Sequence, residues 1–117
     1  MQLYISESTR PEDVKNFFSS CYPFLKIELY KMEKDTNVGR GKKHSPVMDK
    51  FVDLPGEGVV DIHSDITVAE LGSSFAGFGL RTEVFRKSGN VWVATLLTDS
   101  WTLQQQNNAG EEITNNT

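Results

Sequence analysis

Leu25-Lys26-Ile27-Glu28-Leu29-Tyr30-Lys31 and Leu80-Arg81-Thr82-Glu83-Val84-Phe85-Arg86 read as one heptapeptide written twice: apolar, basic, variable, Glu, aliphatic, aromatic, basic. Seven aligned positions, six of them matching in type, point to an internal repeat, a feature that sets the architecture of the whole chain. Apolar residues recur at every second position, at Leu25, Ile27 and Leu29 and at Leu80 and Val84, which is the pattern of a strand with one buried face. The repeat extends upstream. Thr9-Arg10-Pro11-Glu12 and Thr67-Val68-Ala69-Glu70 both have the capping-box spacing, in which a Thr hydroxyl and a Glu carboxylate satisfy the first free N–H groups of a helix. Val14, Phe17, Phe18 and Cys21 follow the first box, and Val68, Leu71, Phe75 and Phe78 line the second, each set on one helical stripe.

The first helix is predicted to end before Pro23, which disfavours helical geometry at Tyr22, and the second at Gly77 or Gly79. Strand-like runs precede both helices, at Gln2 to Ser6 and Val59 to His63. The unit is therefore strand, helix, strand, occurring at about 2–32 and 59–87. After Arg86-Lys87-Ser88-Gly89-Asn90, a turn signal, Val91 to Leu97 has strand character and predicts a terminal hairpin. The expected fold is α+β: a ferredoxin-like two-layer sandwich, βαβ-βαβ(β), with a mostly antiparallel sheet and two helices on one face. A different strand order remains open at this point. The expected organisation is one domain over 1–103 with a mobile basic loop at 33–50. Residues 104–117, rich in Gln, Asn, Thr and Glu, are expected to be a disordered tail.

The chain has 117 residues, 38% hydrophobic and 24% charged, which fits one foldable domain and not a disordered protein. A single cysteine, Cys21, excludes an intramolecular disulfide framework and is read as a core residue. No run approaches the roughly 20 apolar residues of a membrane span, and Met1-Gln2-Leu3-Tyr4-Ile5 lacks the form of a signal peptide. A cytoplasmic, soluble protein with no membrane association is the expectation. The net charge of -4 disfavours a protein devoted to neutralising phosphates, but charge is uneven. From Lys31 to Lys50 six basic residues stand against three acidic ones, and the rest of the chain is acidic.

Strand alternation sends Leu3, Ile5, Leu25, Ile27, Leu29, Leu80, Thr82 and Val84 toward the helices. The opposite face then carries Tyr4, Lys26, Glu28, Tyr30, Arg81, Glu83, Phe85 and Trp92. Three readings fit such an aromatic face. The rings can simply pair across strands, they can anchor a protein partner or self-association, or they can stack single-stranded nucleic acid beside Lys26 and Arg81. The third lacks the RNA-recognition signature and places two glutamates among its contacts. Arg40, Lys42 and Lys43, in a Gly-containing loop without phosphate-loop spacing, could touch phosphates or an acidic partner.

Asp61, His63 and Asp65 alternate as three possible metal ligands if that run is extended, but the signal has low specificity, and a strand edge entering a helix through a Ser64 or Asp65 cap beside a surface or satisfied His63 is the preferred reading. Glu28 and Glu83 occupy equivalent places in the two copies, which the repeat explains without acid-base chemistry. No nucleophile-base pairing is visible, so the expectation leans away from an enzyme, with no cofactor. The leading expectation is a protein-interaction module, including a possible homodimer; nucleic-acid binding is the alternative.

Thr67-Val68-Ala69-Glu70-Leu71, Phe75 and Phe78-Gly79-Leu80-Arg81, continuing to Phe85, resemble small uncharacterised proteins of Bacteroides-type bacteria that carry repeated strand-helix-strand units. That resemblance covers the second half of the chain. It implies a bacterial protein of repeated architecture and no particular activity.

Overall fold

The computed structural model describes residues 2–6, 8–31 and 57–115. The elements run β1 (Gln2–Ile5), α1 (Pro11–Cys21), β2 (Leu25–Lys31), β3 (Gly58–Asp61), α2 (Val68–Ala76), β4 (Leu80–Ser88), β5 (Val91–Ala94), a 3-10 turn (Leu96–Thr98) and α3 (Leu103–Asn115). The fold is mixed α+β, with antiparallel sheets and helices packed on a face.

Two helix starts that look alike in sequence are built differently. At α2 the Thr67 hydroxyl accepts from the Glu70 N–H and the Glu70 carboxylate accepts from the Thr67 N–H, the reciprocal box that the spacing predicts. At α1 the box expected at Thr9 is displaced by one residue. Arg10 is the N-cap, its N–H donates to the Asp13 carboxylate, and the Thr9 hydroxyl accepts instead from the Ser6 N–H in the preceding turn. Pro11 then fills the first helical position, where its missing N–H costs nothing. The far ends follow expectation: Tyr22 leaves helical geometry before Pro23, and Gly79, at φ 77°, turns the chain from α2 into β4.

The strands divide into two antiparallel sheets where one was expected: β1 with β3, and β2-β4-β5. The second strands of the two units lie side by side over their full length, with Lys26 opposite Phe85, Glu28 opposite Glu83 and Tyr30 opposite Arg81. Because Tyr30 matches Phe85 and Lys26 matches Arg81 in the repeat, exchanging the copies maps this ladder onto itself, with the glutamate pair at its centre. In the β1-β3 ribbon the first strands of the two units pair in the same antiparallel way, with Gln2 opposite Asp61, Leu3 opposite Val60, Tyr4 opposite Val59 and Ile5 opposite Gly58. Each strand of the first unit thus pairs with its counterpart in the second.

Leu25, Ile27, Leu29, Leu80 and Val84 are buried on one face of the larger sheet with Val14, Phe18, Leu71 and Phe75 from the two helical stripes. Cys21 packs against this core from its margin, half-buried. The burial of several large aliphatic and aromatic side chains, each contributing about 1.5–3 kcal/mol, is what holds the two units together.

Residues 103–115 form a helix, correcting the expectation of a disordered tail from 104 onward. The Thr102 hydroxyl accepts from the Gln105 N–H and the Gln105 side chain accepts from the Thr102 N–H, a third capping box. Leu103 enters the core with no exposure, and the rest of the contact is polar. Buried Gln106 donates to the Thr98 carbonyl at 2.7 Å and accepts from the Arg86 guanidinium at 2.8 Å, while Asn107 accepts from the Phe24 N–H. Every hydrogen-bonding position of the Gln106 amide that points inward thereby finds a partner. Gly110 lets α3 approach closely, since a Cβ there would stand 3.0 Å from Phe24 Cβ and 3.1 Å from Arg86 Cγ. Asp99 and the backbone of Trp101 accept from α2, so the segment between β5 and α3 is tied to the second unit as well.

The expected basic loop at 33–50, with Arg40, Lys42 and Lys43, lies outside the described residues.

Candidate functional site

The register fixes which side chains share the open face of the β2-β4-β5 sheet. Lys26, Glu28, Tyr30, Arg81, Glu83 and Phe85 alternate with the buried positions, and the β4-β5 ladder adds Lys87, Trp92 and Ala94 beside them. Arg81, Trp92 and Ala94 are exposed and the other six are half-buried, apart from the core residues on the other face.

Two groups form on this face. One is aromatic and cationic: the Lys26 ammonium lies 5.0 Å from the Trp92 ring centre and 5.6 Å from that of Phe85, and Lys87 lies 5.8 Å from Trp92. A cation over a ring at these distances is attracted by its quadrupole, and two lysines converge on one indole. The other group is acidic at its centre. Glu28 and Glu83 face each other across the ladder, and each is relieved by its own cation, Lys15 at 3.1 Å from Glu28 and Arg81 at 3.4 Å from Glu83. Lys15 belongs to α1, and its ammonium reaches Glu28 on β2 from there. The Tyr30 hydroxyl donates to Glu83 at 3.5 Å; burial first, then the charges of Glu83 and Glu28, raise its phenol pKa.

Tyr4 does not join this face. It sits on β1, which pairs with β3 instead of entering the larger sheet, and its hydroxyl donates to the Glu57 carboxylate. That hydrogen bond is the largest cause of its raised pKa. Tyr4 is therefore separated from the other aromatic candidates by topology.

The Asp61-His63-Asp65 run is not extended as a metal site would need. β3 ends at Asp61, and His63 folds back on it, with the ring Nδ1 2.9 Å from one carboxylate oxygen and the backbone N–H donating to the other. Desolvation works against the Asp61 charge, but these two hydrogen bonds, together with the electrostatic attraction of His63 and of the chain's N-terminus, outweigh it and hold the carboxyl below its ordinary value. Asp65 lies in the following turn, and no three metal-ligating side chains converge among the described residues. The weak metal candidate is thus a local Asp-His contact.

A cleft of about 440 Å³ lies between α2 and the start of β4, lined in part by Val68, Gly72, Ala76, Thr82, Leu96 and Asp99. Its walls are mostly aliphatic and small. The features that sequence reasoning passed over are Lys87, whose part in the Trp92 cluster follows from the hairpin register, and Lys15, whose pairing depends on where α1 packs against β2.

No family model, curated protein or solved structure matches the chain. Among the described residues no helix is long and apolar enough to cross a membrane.

Proposed function

We propose that this is a small, non-catalytic protein-interaction module acting in the cytoplasm, and that the open face of the β2-β4-β5 sheet is its binding surface. The observation that carries the reading is Lys26 lying over both the Trp92 and Phe85 rings, with Lys87 over Trp92 as well, on a sheet face turned away from the core. Aromatic anchors with an adjacent cation are the usual centre of a protein interface, and ion pairs such as Arg81-Glu83 suit its rim. The arrangement of the two units is read as a variant of the ferredoxin-like plan in which the second strands of both copies pair with each other. The resemblance of the second half to small bacterial proteins with repeated units makes a bacterial source part of this proposal.

Stacking of single-stranded nucleic acid is a second reading, favoured by the interleaving of Lys26 and Lys87 with the rings. Glu28 and Glu83 at the middle of the same face oppose it electrostatically.

The test is affinity capture from an extract of the source cell, with the wild-type chain beside a Tyr30→Thr, Phe85→Thr double variant. Threonine keeps strand propensity and removes the rings. A protein retained by the wild type and lost by the folded variant supports the module. Equal retention by both removes the face from the account. Saturable binding of a short single-stranded oligonucleotide, weakening steeply with salt, would move the assignment to the second reading.

A further inference from the structure

Among the described residues β5 is the edge strand of the larger sheet, and nothing in its own sequence protects it. Val91-Trp92-Val93-Ala94 contains no charge and no proline, and its ladder with β4 runs without a bulge. All four residues are exposed, Val91 at 57%, Trp92 at 38% and Val93 at 39%, and Leu96 and Leu97 immediately beyond are 75% and 96% exposed. Edge strands normally carry lysines, prolines or bulges that prevent pairing with another chain.

The direction of the free main-chain groups follows from one hydrogen bond. Thr95 N–H donates to the Val84 carbonyl, so Thr95 points its backbone toward β4. Alternate residues of an antiparallel strand point their N–H and C=O to the same side, which turns Val93 toward β4 and Trp92 and Ala94 outward. Two donors and two acceptors are therefore presented along the edge, on residues two apart.

We infer that β5 pairs antiparallel with β5 of a second copy of this chain, joining two three-stranded sheets into one of six strands. The spacing is self-complementary. With Val93 opposite the second copy's Val93, Trp92 stands opposite the second copy's Ala94 and Ala94 opposite its Trp92, and both are hydrogen-bonded pairs about a twofold axis. The side chains agree with that register. On the open face each indole lies beside an alanine methyl, large against small. On the other face the two Val93 side chains meet at the close spacing of a non-hydrogen-bonded pair. No like charges face each other. The pairing also brings Leu96 and Leu97 of each copy toward the hairpin end of the other, where their exposure would fall. This contact uses the main-chain edge of the sheet and is independent of whether the open face binds a partner.

The test is solution mass by light scattering over a concentration series, for the wild type and for Val93→Lys, which places a charge at the centre of the pairing. The wild type is expected to rise with concentration toward twice its monomer mass of 13.2 kDa, and the folded variant to remain at that mass, a twofold difference. Amide hydrogen exchange on the wild type gives a readout that needs no variant: Trp92 and Ala94 should exchange about tenfold or more slowly in concentrated than in dilute samples. A wild type that stays monomeric, a dimer that Val93→Lys leaves intact, or concentration-independent exchange at Trp92 and Ala94 would overturn the inference.

Discussion

The two faces of β2 and β4 share one backbone and are held in different ways. On the inner face Leu25, Ile27, Leu29, Leu80 and Val84 are within a few per cent of complete burial, and each is closed in by α1, α2 or its cross-strand neighbour. On the outer face the same strands carry rings under lysines and glutamates paired with cations, all partly open to water. Exposed ion pairs contribute about 0–1 kcal/mol and cross-strand pairs about 0.2–1 kcal/mol, whereas a buried large side chain is worth several. The inner face therefore sets stability, and the outer face is free to vary in chemistry without unfolding the chain. Such a division is what a binding surface on a folded scaffold requires.

The strongest break of this comparison is Phe75→Ala. The ring is 1% exposed on the α2 stripe, and its loss should cost about 3–5 kcal/mol in denaturant unfolding. A cost below about 1 kcal/mol would mean that α2 does not close the inner face. Leu103→Ala should come next, at about 2–5 kcal/mol, because α3 inserts that side chain into the same core. If the melt is unchanged, α3 is an accessory and not part of the scaffold.

Tyr22→Phe should cost about 1 kcal/mol at neutral pH through loss of the hydrogen bond from the buried hydroxyl to the Ile62 carbonyl. It also has a pH signature. Burial, aided by Cys21, Asp61 and Asp65, pushes the Tyr22 phenol from 10.0 up to about 12, so the folded chain holds this proton more tightly than the unfolded chain does. Its stabilisation is complete below pH 10 and is lost as pH rises from 10 toward 12. The wild type should lose stability across that window more steeply than Tyr22→Phe, as followed by circular dichroism. The smallest effect belongs to the outer face: Glu83→Gln removes one of two opposed carboxylates and should change stability by less than about 0.5 kcal/mol.

Much of this architecture was legible because Leu25, Ile27 and Leu29 and, in the second copy, Leu80 and Val84 share one parity, which fixes the inner and outer faces of β2 and β4 before any partner strand is known. The α1 and α2 stripes were equally clear. Pairing between β2 and β4 was not, since the choice of neighbour is made by tertiary packing and leaves no local signature. Tyr4 was misplaced for that reason: its strand alternates as expected but belongs to the other sheet. The helix at 103–115 was missed because beyond Leu103 its docking surface is Gln106, Asn107 and Gly110, so no apolar period announces it. One signal was present. Thr102-Leu103-Gln104-Gln105 has the capping-box spacing used to place α2, and the structure satisfies both of its hydrogen bonds. The cationic cluster over Trp92 was half visible. Lys26 and Phe85 were assigned to the outer face, while Lys87 entered only with the hairpin register.

The division between the faces is tested most directly by putting the same residue into both. Leu29→Thr, Val84→Thr and Tyr30→Thr, Phe85→Thr change neighbouring positions on the same two strands, and thermal melts of the two double variants can be compared side by side. The account predicts that the inner pair abolishes cooperative melting or lowers Tm by well over about 15 °C, while the outer pair lowers it by less than about 10 °C. Equal losses would contradict it, because the outer rings would then belong to the scaffold and not to a surface kept for a partner.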